Sequence, residues 1–372
     1  MTTIPDITII GGGVIALLTA RELVNAGASV TVIEKNLIGQ ESSWAGGGIL
    51  LPLYPWRQHT AISHLVMQSL QLYPQLAQQL NDLTNINPEW RTCGLLITKN
   101  LDADAAIQWC STHAIPVATA SPTIYSNLNT RTNTPLWLPT IGQIRNPRLL
   151  KSLKQDLLNK GVVLREHCLI NTATVEDNRI TRVDTNTGKI NINHLVIAAG
   201  AWSQHVYGQL FPQFMAVAPQ IAPVRGQMLL YQAEPDTLAH IILDDDRYLI
   251  PRSDGKIVVG STVEKQGFDK STTADAKNQL QNFAENLLPS LKTFPLIHHW
   301  AGLRPGTHNG VPYIGKHPLI SNLSINAGHF RNGLVMAPAS AQLIADLILN
   351  RPPKVDPNPY TFNTLNLTSQ IL

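Results

Sequence analysis

Apolar positions along the chain fall into short unbroken runs and into helical spacings, and the two alternate from the start. Ile7-Thr8-Ile9-Ile10 is a short, mostly β-branched run that predicts a buried strand. Residues 14–26 have helical composition without proline, and Gly27 stands where a helix would stop. Residues 28–33 predict a second strand, ending at Glu34. Ile62, Leu65, Val66, Leu70, Tyr73, Leu76 and Leu80 stand near helical spacing and predict an amphipathic helix over 59–80. Another helix is expected from Pro147, capped by Asn146, to about Gly161, with a strand over 161–164 after it. Short strands follow through a hairpin turn at Thr187-Gly188 and lead to a buried strand over 194–197 that runs into Ala198-Ala199-Gly200. From Pro223 to Glu264 the pattern becomes long strands, with Asp254-Gly255 as a hairpin turn. This stretch reads as an antiparallel sheet in a second, substrate-facing domain. A last helical pattern covers 334–349, and Pro352-Pro353 opens an irregular tail.

The first strand runs into Gly11-Gly12-Gly13-Val14-Ile15-Ala16, a G-x-G-x-x-G/A pattern. Gly11 allows a tight turn, Gly13 lets backbone N–H groups approach a pyrophosphate, and Ala16 is small enough for helix and strand to pack closely. The pyrophosphate then lies at the positive end of the helix dipole. Glu34 can accept from both ribose hydroxyls and would repel a 2′-phosphate. Strand, helix, second strand and acidic residue fall in the order that dinucleotide binding needs. The pattern does not say which dinucleotide.

Glu41-Ser42-Ser43-Trp44-Ala45-Gly46-Gly47-Gly48 follows as a polar, then glycine-rich loop, suited to phosphate and to a flat ring, or else a surface loop. There is no second strand–GxGxxG–helix unit, so electrons are expected to come directly from the substrate rather than from NAD(P)H. Near the other end, Trp300-Ala301-Gly302-Leu303-Arg304-Pro305-Gly306 and Ala327-Gly328-His329-Phe330-Arg331-Asn332-Gly333 place arginines among glycines and apolar residues. A guanidinium there can clamp a carboxylate with two parallel hydrogen bonds, or make a structural ion pair. The glycine-rich turn before the last helix is a further anion-binding geometry, one that could face the pyrimidine end of a flavin.

At 372 residues the chain is long enough for about two domains, and 44% hydrophobic against 14% charged residues suits a compact soluble enzyme. A net charge of +3 without a basic run excludes nucleic acid as the expected partner. Cys93, Cys110 and Cys168 lie far apart, which argues against a disulfide scaffold or structural zinc and fits a reducing cytoplasm. Neither a signal peptide nor a membrane-spanning run is expected. His298-His299 is no metal pair, because adjacent strand residues point to opposite faces. Trp44 and Trp56 either shape the pocket or pack in the core.

The segments GGGVIA, ESSWAGGG, HLVIAAGAWS, RYLIPRSDGKIVVGSTVE, HWAGLRPGTHNGVPYIG and AGHFRNGLVMAPASAQLIADLI together resemble the D-amino-acid oxidase family of FAD enzymes. The likeness is strongest to its glycine oxidase branch, associated with thiamine biosynthesis, and runs through nearly the whole chain. It implies an α/β fold: a glutathione-reductase-like Rossmann domain for FAD, at 1–85, 142–215 and 302–372. A substrate domain built on an antiparallel sheet flanked by helices is expected at 86–141 and 216–301. It implies non-covalent FAD, in keeping with the lack of cysteine near Arg304 or Arg331. It further implies a homotetramer, with glycine, oxygen and water going to glyoxylate, ammonia and hydrogen peroxide, and the imine feeding thiazole synthesis. D-Amino acids or sarcosine as substrate, or a quinone as acceptor, are the alternatives within the same fold; a flavoprotein without turnover is a further one. Carried over, Arg304 and Tyr248 bind the substrate carboxylate and aim the Cα–H at flavin N5, and Arg331 stands near substrate and flavin. FAD contacts are expected from Gly11, Gly13, Val14, Ile15, Glu34 and Lys35, and from Ser42, Ser43, Ala45, Gly46, Gly47 and Gly48. Val163, Ala199, Gly200 and Trp202 are expected to add to these, with Arg304, His329, Phe330, Arg331, Asn332, Gly333 and Leu334 at the far end. Asp244-Asp245-Asp246-Arg247 departs from the family pattern and suggests a different pocket mouth.

Overall fold

The N-terminal pattern folds as its residues dictate. In the computed structural model, which describes residues 6–99, 102–130 and 134–362, the strand Ile7–Ile10 leads through the glycine turn into the helix Val14–Asn25 and returns as the strand Val30–Ile33. These strands lie inside a six-stranded sheet. Its order is Tyr313–Lys316, Leu323–Ala327, His194–Ile197, Ile7–Ile10, Val30–Ile33, Val163–Arg165. All neighbours run parallel except the first pair. Ile7–Ile10, His194–Ile197 and Leu323–Ala327 are buried throughout, because helices cover the sheet. Val14–Asn25, Thr60–Thr84, Asn146–Asn159 and Gly333–Ile348 pack around one core in which Ala16, Ala20, Ala337 and Ala341 let backbones approach closely. Ligands in open parallel sheets bind beyond the carboxyl ends of the strands, which here are Ile10, Ile33, Ile197 and Ala327.

The second sheet has eight strands, in the order Leu296–Gly306, Ala222–Gln232, Lys256–Gly260, Arg247–Pro251, Ile241–Asp244, Leu95–Ile97, Leu136–Leu138, Ala118–Thr119. The Asp254-Gly255 turn joins two of these strands as expected. The sheet is not wholly antiparallel: Ile241–Asp244 pairs parallel with Leu95–Ile97, two segments brought together from far apart in sequence. Leu296–Gly306 pairs with Ala222–Gln232 along its length, so the expected boundary between 301 and 302 falls inside one continuous strand. A three-stranded antiparallel sheet, Ile170–Glu176, Arg179–Thr185 and Gly188–Asn191, carries the Thr187-Gly188 turn. Among the described residues no helix is long and apolar enough to cross a membrane. Among the described residues the tail beyond Pro353 holds only the short turn Asn358–Tyr360; its last ten residues lie outside the described ones.

Three buried histidines lock part of this framework. His194 bonds Ser324 between neighbouring strands, His317 bonds Tyr207, and His329 bonds Ser340. Burial pushes His194 and His317 down to about 4 and His329 to about 3, so all three are neutral at neutral pH. An unfolded chain takes up protons at these sites below about pH 6.5 while the folded one does not. Their contribution to stability is therefore complete above that pH and lost as pH falls toward 4. Each should remove about 1 kcal/mol per pH unit in this window. Urea unfolding at pH 7.5 and 5.5 checks this, and equal midpoints would refute it.

Candidate active site

The glycine turn closes as tightly as a backbone can. Gly11 has φ +113°, its N–H donates to Ile33 O at 2.8 Å, and a Cβ there would overlap the carbonyl of Ala198, just past the neighbouring strand His194–Ile197. Gly13 has ordinary torsions, and a Cβ on it would press on Ser43 Oγ at 3.0 Å. That hydroxyl instead accepts from Val14 N at 2.9 Å, at the first turn of the helix. Glu34 is buried, with one oxygen accepting from Gly12 N at 2.8 Å and the other from Asn36 N at 2.9 Å. Its carboxylate is thus fixed at the tip of the second strand with lone pairs left for further donors.

The loop after it is pinned. Asn146 donates to Ser43 O at 2.7 Å, Trp300 Nε1 to Ala45 O at 3.0 Å, Arg252 to Gly47 O at 2.7 Å, and Ile144 N to Gly48 O at 2.9 Å. Ser42 donates to Leu303 O. Asn146 was expected to cap a helix; it is instead the first residue of Asn146–Asn159, and its side chain serves a loop carbonyl that packing removes from water. Arg252 also donates to Gln143 Oε1 and Ile144 O and makes no ion pair among the described residues. Burial, reinforced by Arg145, pulls its pKa down to about 10, so it still carries its charge beneath the loop.

The second sheet turns one face toward this loop, and strand alternation decides which residues stand on it. On Leu296–Gly306 they are Trp300, Gly302 and Arg304; on Ala222–Gln232 they are Val224, Gly226 and Met228. Trp300, Met228, Gly260 and Tyr248 form one row across four strands. Glycines leave room for the polar side chains in this face. A Cβ on Gly260 would overlap the Tyr248 ring, and one on Gly226 would overlap the Arg304 guanidinium. Arg304 lies across Gly226 and donates to Thr262 O at 3.1 Å, Arg225 O at 3.3 Å and Ser261 Oγ at 2.8 Å. No carboxylate pairs with it among the described residues, whereas the neighbouring Arg225 pairs with both Glu264 and Asp269. Burial lowers the Arg304 pKa, which the facing Tyr248 hydroxyl opposes and Arg331 reinforces. Gly226→Ala is expected to push the guanidinium aside and break its bonds to Thr262 O, Arg225 O and Ser261 Oγ, which costs about 1–2 kcal/mol of stability. Activity should fall at least tenfold, a loss of about 1.4 kcal/mol, while the protein stays folded at the assay temperature. Full activity in this variant would show that the placing of Arg304 is not needed.

The third wall comes from the end of the chain. Gly328, at φ +88°, turns the strand Leu323–Ala327 into the helix Gly333–Ile348. Asn332 is tied to Gln58 at 2.7 Å, while Arg331 is exposed at the rim, its guanidinium 5.7 Å from the Phe330 ring. Trp202 stacks on Phe268 and carries Lys35 3.7 Å above its ring.

These walls line one cavity of about 430 Å³. Of the expected cofactor and substrate residues, all but Val163 line it. Val163 lies half exposed on the edge strand Val163–Arg165. After that strand the chain folds back, with His167 N bonded to Asn36 O and Cys168 N to Glu34 O, so Cys168, Leu169 and Ile170 reach the cavity instead. The acidic turn does not line the cavity either: Asp244, Asp245 and Asp246 are tied to Thr98, Lys99 and Arg247. Trp44 packs edge-on against Trp300, Trp56 edge-on against Tyr54, and His298 stacks on Trp300. Sequence reasoning missed Ser261, Met228, Asn146 and the three strand glycines Gly226, Gly260 and Gly302. A single glycine inside a strand pattern is itself a sign of close approach.

A dinucleotide fits this chain's own residues: a glycine cradle that a Cβ on Gly11 would fill, a helix N-terminus behind it, and a fixed carboxylate at Glu34 lining the same cavity. The family model described as FAD dependent oxidoreductase matches residues 6–347. A glycine oxidase of Pseudomonas aeruginosa is 41% identical over 95% of this chain and 97% of its own length. A bifunctional ThiO/ThiG protein of Nostoc is 31% identical over 95% of this chain and 53% of its own. The crystal structure of glycine oxidase from Geobacillus kaustophilus superposes with a TM-score of 0.89, at 26% identity, over 96% of this chain and 98% of that one. The chain belongs to the DAO family and is an FAD-dependent oxidoreductase.

Proposed function

We propose that the protein oxidises glycine, or an amino acid nearly as small, at its carbon–nitrogen bond with oxygen as acceptor, yielding the 2-oxo acid, ammonia and hydrogen peroxide. The observation that carries this reading is Arg304, a guanidinium free of any carboxylate among the described residues. It lies beside Tyr248 in the cavity that also holds the glycine cradle. The names of the relatives support glycine as the substrate.

Bound FAD supplies the two-electron acceptor. Arg304 takes the substrate carboxylate with two parallel hydrogen bonds, and its bonds to Ser261, Thr262 and Arg225 fix the direction of the fork. Tyr248 donates a further bond to the same carboxylate. With the carboxylate fixed, the Cα–H has one orientation, and this positioning provides most of the rate. The positive field of Arg304 and Arg331 favours loss of the ammonium proton, which leaves the amine neutral for oxidation. Leu51, Leu53, Ile49 and Met228 on the cavity wall exclude water and limit the side chain that can enter.

The FAD-binding domain is assigned to 1–85, 142–215 and from 307 onward, and the substrate domain to 86–141 and 216–306, which keeps Leu296–Gly306 whole. The likeness to glycine oxidases supports a cytoplasmic homotetramer, and the likeness to ThiO/ThiG proteins supports a role in making the thiazole of thiamine. The test is a panel of glycine, sarcosine, D-alanine and D-proline, read by peroxide in air and by a quinone dye under nitrogen. Glycine-dependent peroxide is the expected result; turnover with the quinone alone, or none with any of the four, would overturn the reading.

A further inference from the structure

Met228 brings a thioether into the cross-strand row, and the reaction leaves its chemistry unused. It is 3% exposed, lines the cavity, and sits between Trp300 and Gly260 in register. Its sulfur accepts the Tyr248 hydroxyl at 3.9 Å, and its methyl lies 3.6 Å from where a Cβ on Gly47 would stand. A thioether is a weak acceptor, so the hydroxyl remains available to a carboxylate. Met336 is sealed in the core and Met215 is 44% exposed at the surface; among the described methionines Met228 alone lines the cavity.

We propose that Met228 is a modification site, oxidised to the sulfoxide by hydrogen peroxide produced in its own cavity, and that the sulfoxide weakens substrate binding by capturing Tyr248. The proposal rests on the oxidase reading above, since the oxidant is the product of that reaction. A sulfur lone pair attacks one peroxide oxygen and forms the S–O bond while the O–O bond breaks. The second oxygen leaves as water with both protons, so sulfur loses the two electrons that the peroxide gains. The sulfoxide oxygen is a much stronger acceptor than the thioether, and its nearest donor on this face is the Tyr248 hydroxyl. The carboxylate then loses one of its two partners, and the apolar wall gains a polar group where the substrate enters. KM should rise more than kcat falls.

The experiment turns over the FAD-loaded enzyme with glycine in the presence of catalase, then locates added oxygen by peptide mass spectrometry. Catalase removes peroxide that escapes to solvent and so spares Met215, while peroxide still in the cavity reaches Met228 first. The expected result is one added oxygen on Met228 in proportion to turnovers, little on Met215, and a several-fold rise in KM. Met228→Leu, which conserves volume, should hold its own starting KM over the same number of turnovers. An unmodified Met228, or a KM that drifts equally in Met228→Leu, overturns the proposal. Absence of any peroxide from glycine would defeat the oxidase reading instead. Peroxide added to the resting enzyme then tests Met228 by itself, and failure to oxidise it under conditions that modify Met215 would again overturn the proposal.

Discussion

Arg304→Met is expected to lower kcat/KM for glycine about a thousandfold, a loss of roughly 4 kcal/mol in transition-state binding. The size follows from what surrounds the guanidinium. It has no carboxylate partner among the described residues, so its charge is free for the substrate, and its removal leaves a carboxylate desolvated against an apolar wall. Thr262 O, Arg225 O and Ser261 Oγ also lose a donor, which should lower stability by about 1–2 kcal/mol. Arg304→Lys keeps the charge but not the fork, and should recover only part of the activity. The FAD content of both variants should stay close to that of the parent, because the glycine turn and Glu34 are untouched. Steady-state kinetics on FAD-loaded protein decide the matter; a loss below tenfold in Arg304→Met would remove Arg304 from the role of carboxylate anchor.

Gly11→Ala is expected to abolish retention of FAD and to cost about 4 kcal/mol or more of folding stability. Two independent constraints act at this residue. The φ of +113° lies where an L side chain is strained, and the added methyl would overlap the Ala198 carbonyl at the end of the adjacent strand of a buried parallel sheet. Neither neighbour can yield without breaking Gly11 N to Ile33 O or Ala198 N to Ile10 O. Gly13→Ala meets only a serine hydroxyl and should be much milder. The measurement is the flavin content of purified protein together with its urea midpoint. Full occupancy in Gly11→Ala would show that the turn can open.

The nucleotide half of the site was legible because it is local: strand, turn, helix, strand and Glu34 follow one another, and each has a period or a torsional demand readable in the residues. The long helix was also legible, although it runs on through Pro74 to Thr84 and stops at Asn85 in a left-handed cap. The substrate half was different. Tyr248, Met228 and Arg304 meet only because four strands stack in a particular order, and hydrophobic periodicity does not encode strand order. Without the family resemblance, Arg304 and an ion-paired arginine such as Arg225 read alike. The destinations of Asn146 and Arg252 were hidden because each serves a carbonyl in a distant loop. The error at Val163 arose from a boundary: the chain reaches the cavity only after it turns back at His167.

The cavity has a wall from each end of the chain, with Gly11 to Ile15 on one side and Asn326 to Val335 on the other. Leu323–Ala327, which carries the second wall, docks beside His194–Ile197 in the six-stranded sheet and needs that strand already in place. On the ribosome the glycine cradle therefore emerges before its opposite wall and waits until Leu323–Ala327 has been made. Capture of the cofactor follows that strand, and until then the nascent chain carries the carboxyl edge of its central sheet uncovered.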